Sequence, residues 1–163
     1  MNITVKNINK DHWPLVAAIY QQGIATGMAT FETELPIWKV WNKSHLKVCR
    51  YGAWTNDVLL GWAALSAVSS RQVYRGVAEL SIYVDPKYSG RGIGSKLLDL
   101  IITESEKAGY WTLQSGIFPE NTASIELHKK YGFRIIGYRE KIAQLHGVWH
   151  NNVLMERRSK SVT

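Results

Sequence analysis

The stretch Tyr83–Ile101, YVDPKYSGRGIGSKLLDLI, decides the fold: a β-strand pattern passes into an amphipathic helix through a run of glycines. Gly90, Gly92 and Gly94 alternate with other residues in this turn. Glycine permits positive φ angles and lets another group approach the backbone closely. The first N–H groups of a helix are unpaired and lie at the positive end of its dipole. The turn therefore predicts a phosphate-binding site.

Two familiar phosphate loops are excluded by their spacing. A P-loop counted from Gly90 would need a second glycine where Ser95 stands, and a hydroxyl residue at Leu97. The dinucleotide fingerprint would need its third glycine at Ser95 or at Leu97. A different phosphate-binding turn, G-x-G-x-G at the start of a helix, remains.

Length and composition predict one globular domain spanning residues 1–163, with its core at about residues 3–159. The chain has 163 residues, of which 45% are hydrophobic and 20% are charged, which excludes a disordered protein. Its single cysteine, Cys49, excludes an internal disulfide and is compatible with a reducing compartment. We see no signal-peptide pattern and no apolar run long enough to span a membrane. We therefore expect a soluble, cytoplasmic protein without a membrane partner.

The net charge of +7 has three interpretations. It could bind nucleic acid, form a solvated basic surface, or steer an anionic ligand toward a cleft. The sequence contains no basic strand interleaved with aromatic residues and no recognition-helix pattern. We therefore expect no nucleic-acid partner.

Hydrophobic periodicity predicts the element order β-α-α-β-β-β-α-β-α-β-β, which is an α/β sheet flanked by helices on both sides. We predict that Asp11 caps the first helix and that Pro36 lies in the first turn of the second. Gly109 should end the third helix. Asn121 and Gly132 should cap and close the fourth.

Two motifs resemble the GNAT family of N-acetyltransferases. SGRGIG, starting at Ser89, resembles the family's pyrophosphate loop, Gln/Arg-x-x-Gly-x-Gly/Ala. Ser89 departs from that pattern, and Arg91 can supply the positive charge. NTASIELHKKYGF, starting at Asn121, resembles the family's helix beside the pantetheine arm of acetyl-CoA. The motifs occur in the family's order, with one predicted strand between them.

Three further segments resemble the phosphinothricin and methionine sulfoximine acetyltransferase branch: AIYQQGIATGMATFETE, YRGVAELSIYVDP and LHGVWHNNVLMERRS. Asn151 departs from the aspartate usual in the branch, which affects the pocket or a dimer contact. The resemblance implies a GNAT fold, with a mixed, mostly antiparallel sheet of about seven strands and about four helices. It also implies a homodimer.

The resemblance implies acetyl-CoA as the acetyl-donor co-substrate. The backbone of β-strand residues 82–84 should bond to the pantetheine amides, and the glycine turn should hold the pyrophosphate. The expected cofactor-binding residues are Ile82, Tyr83, Val84, Ser89, Gly90, Arg91, Gly92, Ile93, Gly94, Ser95 and Asn121.

Glu79 and His128 are the expected catalytic residues. Glu79 should remove the proton from the acceptor amine. We expect it to be largely buried, and the alternative role is a structural ion pair with Arg75. The resemblance places His128 where relatives carry the group that protonates the leaving thiolate. His128 could instead only pack against the cofactor.

The acceptor should be a small amino-acid-like molecule with an anionic group. Tyr74 and Arg75 are the candidates for holding that anion, and Phe31 should line the pocket, although each could be ordinary loop packing. The histidines and Cys49 show no metal-ligand spacing, so we expect no metal. The alternatives are acetylation of another amine (a polyamine, an aminoglycoside or a protein N-terminus) and a non-catalytic acetyl-CoA-binding module.

Overall fold

A seven-stranded sheet forms the centre of the protein. The computed structural model describes all residues, Met1–Thr163. The strands are β1 (Thr4–Asn7), β2 (Tyr51–Thr55), β3 (Val58–Ala67), β4 (Val77–Val84), β5 (Thr112–Ile117), β6 (Arg134–Leu145) and β7 (Val148–Arg158). Their order in the sheet is β1-β2-β3-β4-β5-β7-β6. Only the β4–β5 pair is parallel. This confirms the predicted mixed, mostly antiparallel sheet.

Four α-helices accompany the sheet, in the predicted order. They are α1 (Trp13–Ala25), α2 (Trp38–Ser44), α3 (Ile93–Lys107) and α4 (Thr122–Lys130). Three short 3-10 helices, Lys10–His12, Gln72–Tyr74 and Pro86–Tyr88, lie in the connections. No helix has the length and apolar character needed to cross a membrane.

Two of the predicted helix starts were wrong. Asn9, and not Asp11, caps the N-terminal segment: its side chain accepts a hydrogen bond of 3.0 Å from the Asp11 N–H. The capped element is the 3-10 helix, and α1 follows it without a side-chain cap. Pro36 precedes the N-cap residue of α2, Ile37, and therefore lies outside the helix. The predicted ends of the third and fourth helices were right: Gly109 and Gly132 follow these helices in the left-handed conformation, with φ of +86° and +85°.

Each face of the sheet buries a separate apolar cluster. Residues of α3, including Leu97, Leu98 and Ile101, pack on one face. Residues of α1 and α2 pack on the other face around Trp41 and Trp62. Because successive strand residues point to opposite faces, β4 contributes Leu80, Ile82 and Val84 to the α3 side and Tyr83 to the α1 side.

The sheet splits between its two parallel strands. β5 pairs with β4 only over three positions, ending at Glu79 opposite Gln114. Beyond that point, residues 80–84 of β4 have no strand partner on the β5 side. The split opens a passage through the middle of the sheet, from the α1 side to the α3–α4 side.

Candidate active site

A cleft of about 390 Å³ occupies the split between β4 and β5. Its walls come from the loop after α1, from β4 and β5, from α4, and from the β6–β7 hairpin. The lining includes Phe31, Glu79, Ile82, Tyr83, Ser115, Asn121, His128, Arg139 and Asn152. Six of these nine were expected at the site, and Ser115, Arg139 and Asn152 were not.

Glu79 lies at the last paired position of β4, directly at the apex of the split. Its side chain is exposed, and its Oε2 accepts a hydrogen bond of 3.1 Å from Gln114 Nε2. The expectation that Glu79 is largely buried was wrong, because the strands separate at this residue and open it to solvent. It makes no ion pair with Arg75. Glu79 is therefore free to receive a proton from a ligand in the cleft.

The two anion-holding candidates from the loop before β4 lie outside the cleft lining. Tyr74 is 47% exposed, with the guanidinium of Arg71 5.6 Å from its ring centroid. Arg75 places its guanidinium 5.3 Å from the ring centroid of Trp111. Phe31 does line the cleft, with its ring centroid 4.7 Å from that of Phe118.

Arg139 and Asn152 form a polar pair on the hairpin wall of the cleft. They lie opposite each other in the β6–β7 ladder, and both line the cleft. Asn152 is 8% exposed, and a Cβ at Gly116 would lie 3.1 Å from its Oδ1, so this glycine leaves room for the amide. Arg139 makes no ion pair within the protein. Sequence reasoning missed both residues because their placement depends on the register of a long irregular hairpin.

The glycine turn before α3 has the geometry of an anion cradle. Gly90 and Gly92 have φ of +75° and +77°, and a Cβ on either would meet nothing within 4 Å. Gly92 is the N-cap of α3 and makes no side-chain capping bond, so no capping side chain accepts from the first N–H groups of the helix. Arg91 lies beside them with no carboxylate partner. A diphosphate fits these residues.

Gly94 differs from the other two glycines. It has no positive φ, and a Cβ there would lie 3.1 Å from Leu127 Cδ2 of α4. The absence of a side chain at Gly94 therefore lets α3 and α4 pack closely, independently of any contact that Gly94 makes with a ligand.

The unpaired edge of β4 can receive an extended ligand. Residues 82–84 continue the strand beyond the end of β5 pairing. A ligand with amide groups, such as a pantetheine arm, can bond to such an edge as an added strand does. The Tyr83 side chain stacks on Trp62 with ring centroids 4.9 Å apart, which holds this part of β4 in place.

The histidine of α4 is buried beneath the cleft. His128 is 1% exposed, and its Nδ1 lies 2.7 Å from the carbonyl oxygen of Ser124. Its Nε2 lies 3.0 Å from Ser115 Oγ. Burial lowers the pKa of His128, and the bond to the Ser124 carbonyl opposes this only in part. Asn121 caps α4 by accepting a hydrogen bond of 3.2 Å from the Ser124 N–H.

The split between β4 and β5, the bare glycine turn before α3 and the carboxylate at the apex together provide room for a diphosphate-containing ligand beside a proton acceptor. No group of three or more His, Cys, Asp or Glu side chains could hold a metal ion. Residues 14–133 match the acetyltransferase (GNAT) family, and the chain belongs to this family. It is an acetyl-CoA-dependent N-acyltransferase.

Relatives extend this similarity to the predicted branch. The chain is 32% identical to a phosphinothricin N-acetyltransferase from Alcaligenes faecalis, over 94% of this chain and 81% of that one. It is 33% identical to an L-methionine sulfoximine/L-methionine sulfone acetyltransferase from Salmonella typhimurium, over 62% of this chain and 59% of that one.

A solved structure agrees with this similarity. A GNAT superfamily phosphinothricin acetyltransferase from Sinorhizobium meliloti, in complex with AcCoA, superposes with a TM-score of 0.88 at 26% identity. The superposition covers 97% of this chain and 89% of that one. The predicted family, branch and acetyl donor are confirmed.

Proposed function

We propose that the protein transfers the acetyl group of acetyl-CoA to the α-amine of a small amino-acid-like acceptor of the phosphinothricin or methionine sulfoximine type. The observation that carries the proposal is the cleft in the split sheet, which holds the free carboxylate of Glu79 and the unpaired guanidinium of Arg139 together. Such a pair suits an acceptor that carries both an amine and an anion. The names of the relatives support the same acceptor class.

The cofactor binds on the α3–α4 side of the sheet in this proposal. Its pantetheine amides bond to the backbone of residues 82–84, and its diphosphate lies on residues 89–95. The open space at Gly90 and Gly92 and the unpaired β4 edge support this placement. Asn121 and the start of α4 flank the arm where it enters the cleft.

The acceptor binds on the α1 side in this proposal. Arg139 and the amide of Asn152 hold its anionic group, and Phe31 with Phe118 covers its apolar chain. Hydrogen bonds from a guanidinium to a carboxylate or phosphinate are charge-assisted and set orientation as well as affinity. Tyr74 and Arg75, predicted from their position just before the strand that carries Glu79, remain the alternative anion-holding candidates.

Glu79 prepares the amine for attack. An α-ammonium group is not a nucleophile until it loses a proton, and Glu79 accepts that proton directly or through a water molecule. The thioester is already activated, so the remaining task of the cleft is to hold the amine and the acetyl carbon in contact.

We also propose that the protein acts as a cytoplasmic homodimer. Large apolar side chains on the β6–β7 hairpin are exposed: Ile135, Tyr138, Ile142, Val148 and Trp149 are each between 49% and 58% accessible. An exposed apolar patch of this kind on a sheet edge favours association. Trp149→Lys should then convert a dimer into a monomer by light scattering; a wild-type monomer at micromolar concentration would contradict the proposal.

The test of the proposed function is release of free CoA thiol across a panel of acceptors. Phosphinothricin and methionine sulfoximine should react much faster than spermidine, an aminoglycoside or a lysine peptide. The assay detects thiols, so the reactivity of the protein's own cysteine must be low. Burial, with a smaller effect from Glu104, raises the pKa of the Cys49 thiol to about 11. Cys49 is also only 4% exposed, so it adds little background to thiol detection. Faster acetylation of spermidine or of the peptide would assign the protein another acceptor.

A further inference from the structure

We propose that Ser115 is a catalytic residue: its hydroxyl carries the amine's second proton to the departing sulfur by exchange with the buried His128. This inference rests on the proposed function. Amide formation from an ammonium group releases two protons from nitrogen. Glu79 takes the first before attack, and the second must leave after the C–N bond has formed, while the sulfur needs a proton.

The position of Ser115 supports this role. It is the first β5 residue after the last position paired with β4, so it stands at the apex of the split beside Glu79. Gln114 and Ser115 are adjacent in a strand, so their side chains point to opposite faces of the sheet. Glu79 contacts Gln114 on one face, while Ser115 contacts His128 of α4 on the other. The reacting atoms in the passage would lie between the two groups.

The hydrogen bonds fix the protonation state of the pair. The Ser124 carbonyl can only accept, so His128 Nδ1, at 2.7 Å, carries a proton. His128 is 1% exposed in an apolar setting beside Phe133, which favours the neutral ring, so Nε2 is unprotonated. Ser115 Oγ, at 3.0 Å, must therefore donate its proton to Nε2. The oxygen lone pairs of Ser115 remain available to a donor in the cleft.

This arrangement allows a balanced transfer. As the C–N bond forms, the nitrogen gives a proton to Ser115 Oγ, and the serine's own proton moves to His128 Nε2. The Ser124 carbonyl stabilises the resulting imidazolium. As the C–S bond breaks, His128 returns the proton to Ser115, whose hydroxyl proton passes to sulfur. Nitrogen and sulfur are bound to the same carbon at this stage, so one hydroxyl can reach both.

No charged side chain forms an ion pair with His128. The titratable groups that share its cleft are Glu32, Glu79, Tyr83 and Arg139. On α4, Lys129 pairs with Glu126, and Lys130 is exposed. On β7, Glu156 and Arg157 pair with Arg134 and Glu106. His128 can therefore gain and lose a proton with Ser115 as its exchange partner.

The experiment compares Ser115→Ala with Ser115→Thr, which keeps the hydroxyl. Ser115→Ala should lower kcat by about 100-fold, the scale of a lost proton-transfer group. Ser115→Thr should keep much of the wild-type kcat, because it retains the hydroxyl. The Kd for acetyl-CoA should stay within about twofold in both variants. The proton inventory of kcat in H₂O–D₂O mixtures should be curved for the wild type, because several protons move, and should lose that curvature in Ser115→Ala.

The pH profile gives an independent result. Wild-type kcat should fall as pH drops through the depressed pKa of His128, below 6.5, because a protonated Nε2 cannot accept. The kcat of Ser115→Ala should not show this fall at low pH. His128→Asn should lower kcat as far as Ser115→Ala, and the double variant should be no slower than either. If Ser115→Ala does not fold, the wild-type pH profile and His128→Asn decide the matter: His128→Asn should lower kcat by about 100-fold and lack the acidic decline, and a His128→Asn enzyme with wild-type kcat would overturn the exchange.

A folded Ser115→Ala enzyme with wild-type kcat and a curved proton inventory would overturn the role of Ser115. So would a double variant whose losses multiply. Absence of acetyl transfer by the wild type to every amine tested would instead contradict the proposed function, so the two failures are distinguishable.

Discussion

Asn151 Oδ1 in β7 accepts a hydrogen bond of 2.8 Å from the backbone N–H of Lys141 in β6. Three β6 residues, Glu140, Lys141 and Ile142, lie opposite the single residue Asn151. Lys141 has a backbone φ of +47°, a left-handed conformation that residues other than glycine rarely adopt. Asn151 thus holds a bulge between the paired residues Arg139 and Ala143, both of which line the cleft. An aspartate at this position could accept the same bond.

We expect Asn151→Ala to raise the KM for the acceptor several-fold, because the bulge relaxes and Arg139 loses its position. Asn151→Asp should keep the wild-type KM, since a carboxylate oxygen also accepts from Lys141. The Kd for acetyl-CoA, measured by calorimetry, should not change in either variant. An unchanged acceptor KM in Asn151→Ala would show that the bulge does not position the site.

Arg139→Ala should raise the KM for an anionic amino acid by about 10- to 100-fold, as expected for a lost charge-assisted hydrogen bond. Arg134→Ala is a matched control on the same strand, because Arg134 pairs with Glu156 on the surface. Arg75→Ala tests the anion-holding candidate that was predicted from its position just before β4. A larger effect of Arg75→Ala than of Arg139→Ala would move the anion site to the loop before β4.

Gly92→Ala should weaken acetyl-CoA binding by at least about tenfold. The substitution strains a backbone with φ of +77° and puts a methyl group into the open space of the turn. Gly109→Ala is a matched control at the other end of α3: its φ is +86°, and it also has no neighbour within 4 Å. Gly109→Ala should cost similar stability and leave the Kd unchanged. Equal Kd values for the two variants would contradict the anion cradle.

The sequence predicted the sheet and helices well because their signals are local. Period-two alternation marked β4 over its full length, Val77–Val84, and Gly109 and Gly132 marked helix ends through their positive φ. The helix start near Asp11 was wrong because Asn9 caps a separate 3-10 turn that contains Asp11, so α1 begins only at Trp13.

The site was predicted only in part because half of it depends on contacts distant in sequence. The exposure of Glu79 follows from where β4 and β5 separate, and no property of β4 alone reveals that point. The contact of Ser115 with His128 joins a strand to a helix through their packing. Arg139 and Asn152 depend on an irregular hairpin register.

The central claim is that Glu79 activates the acceptor amine in the split sheet, and kcat of Glu79→Gln at pH 7 tests it most directly. Without the carboxylate the ammonium group keeps its proton, so kcat should fall by about 10²–10⁴-fold. Raising the pH should partly rescue the variant, because free amine then forms in solution. The acetyl-CoA Kd should not change, and Glu32→Gln, a second carboxylate lining the cleft, should remain active. A Glu79→Gln enzyme with near wild-type kcat at pH 7 would contradict the claim and reduce Glu79 to a hydrogen-bond partner of Gln114.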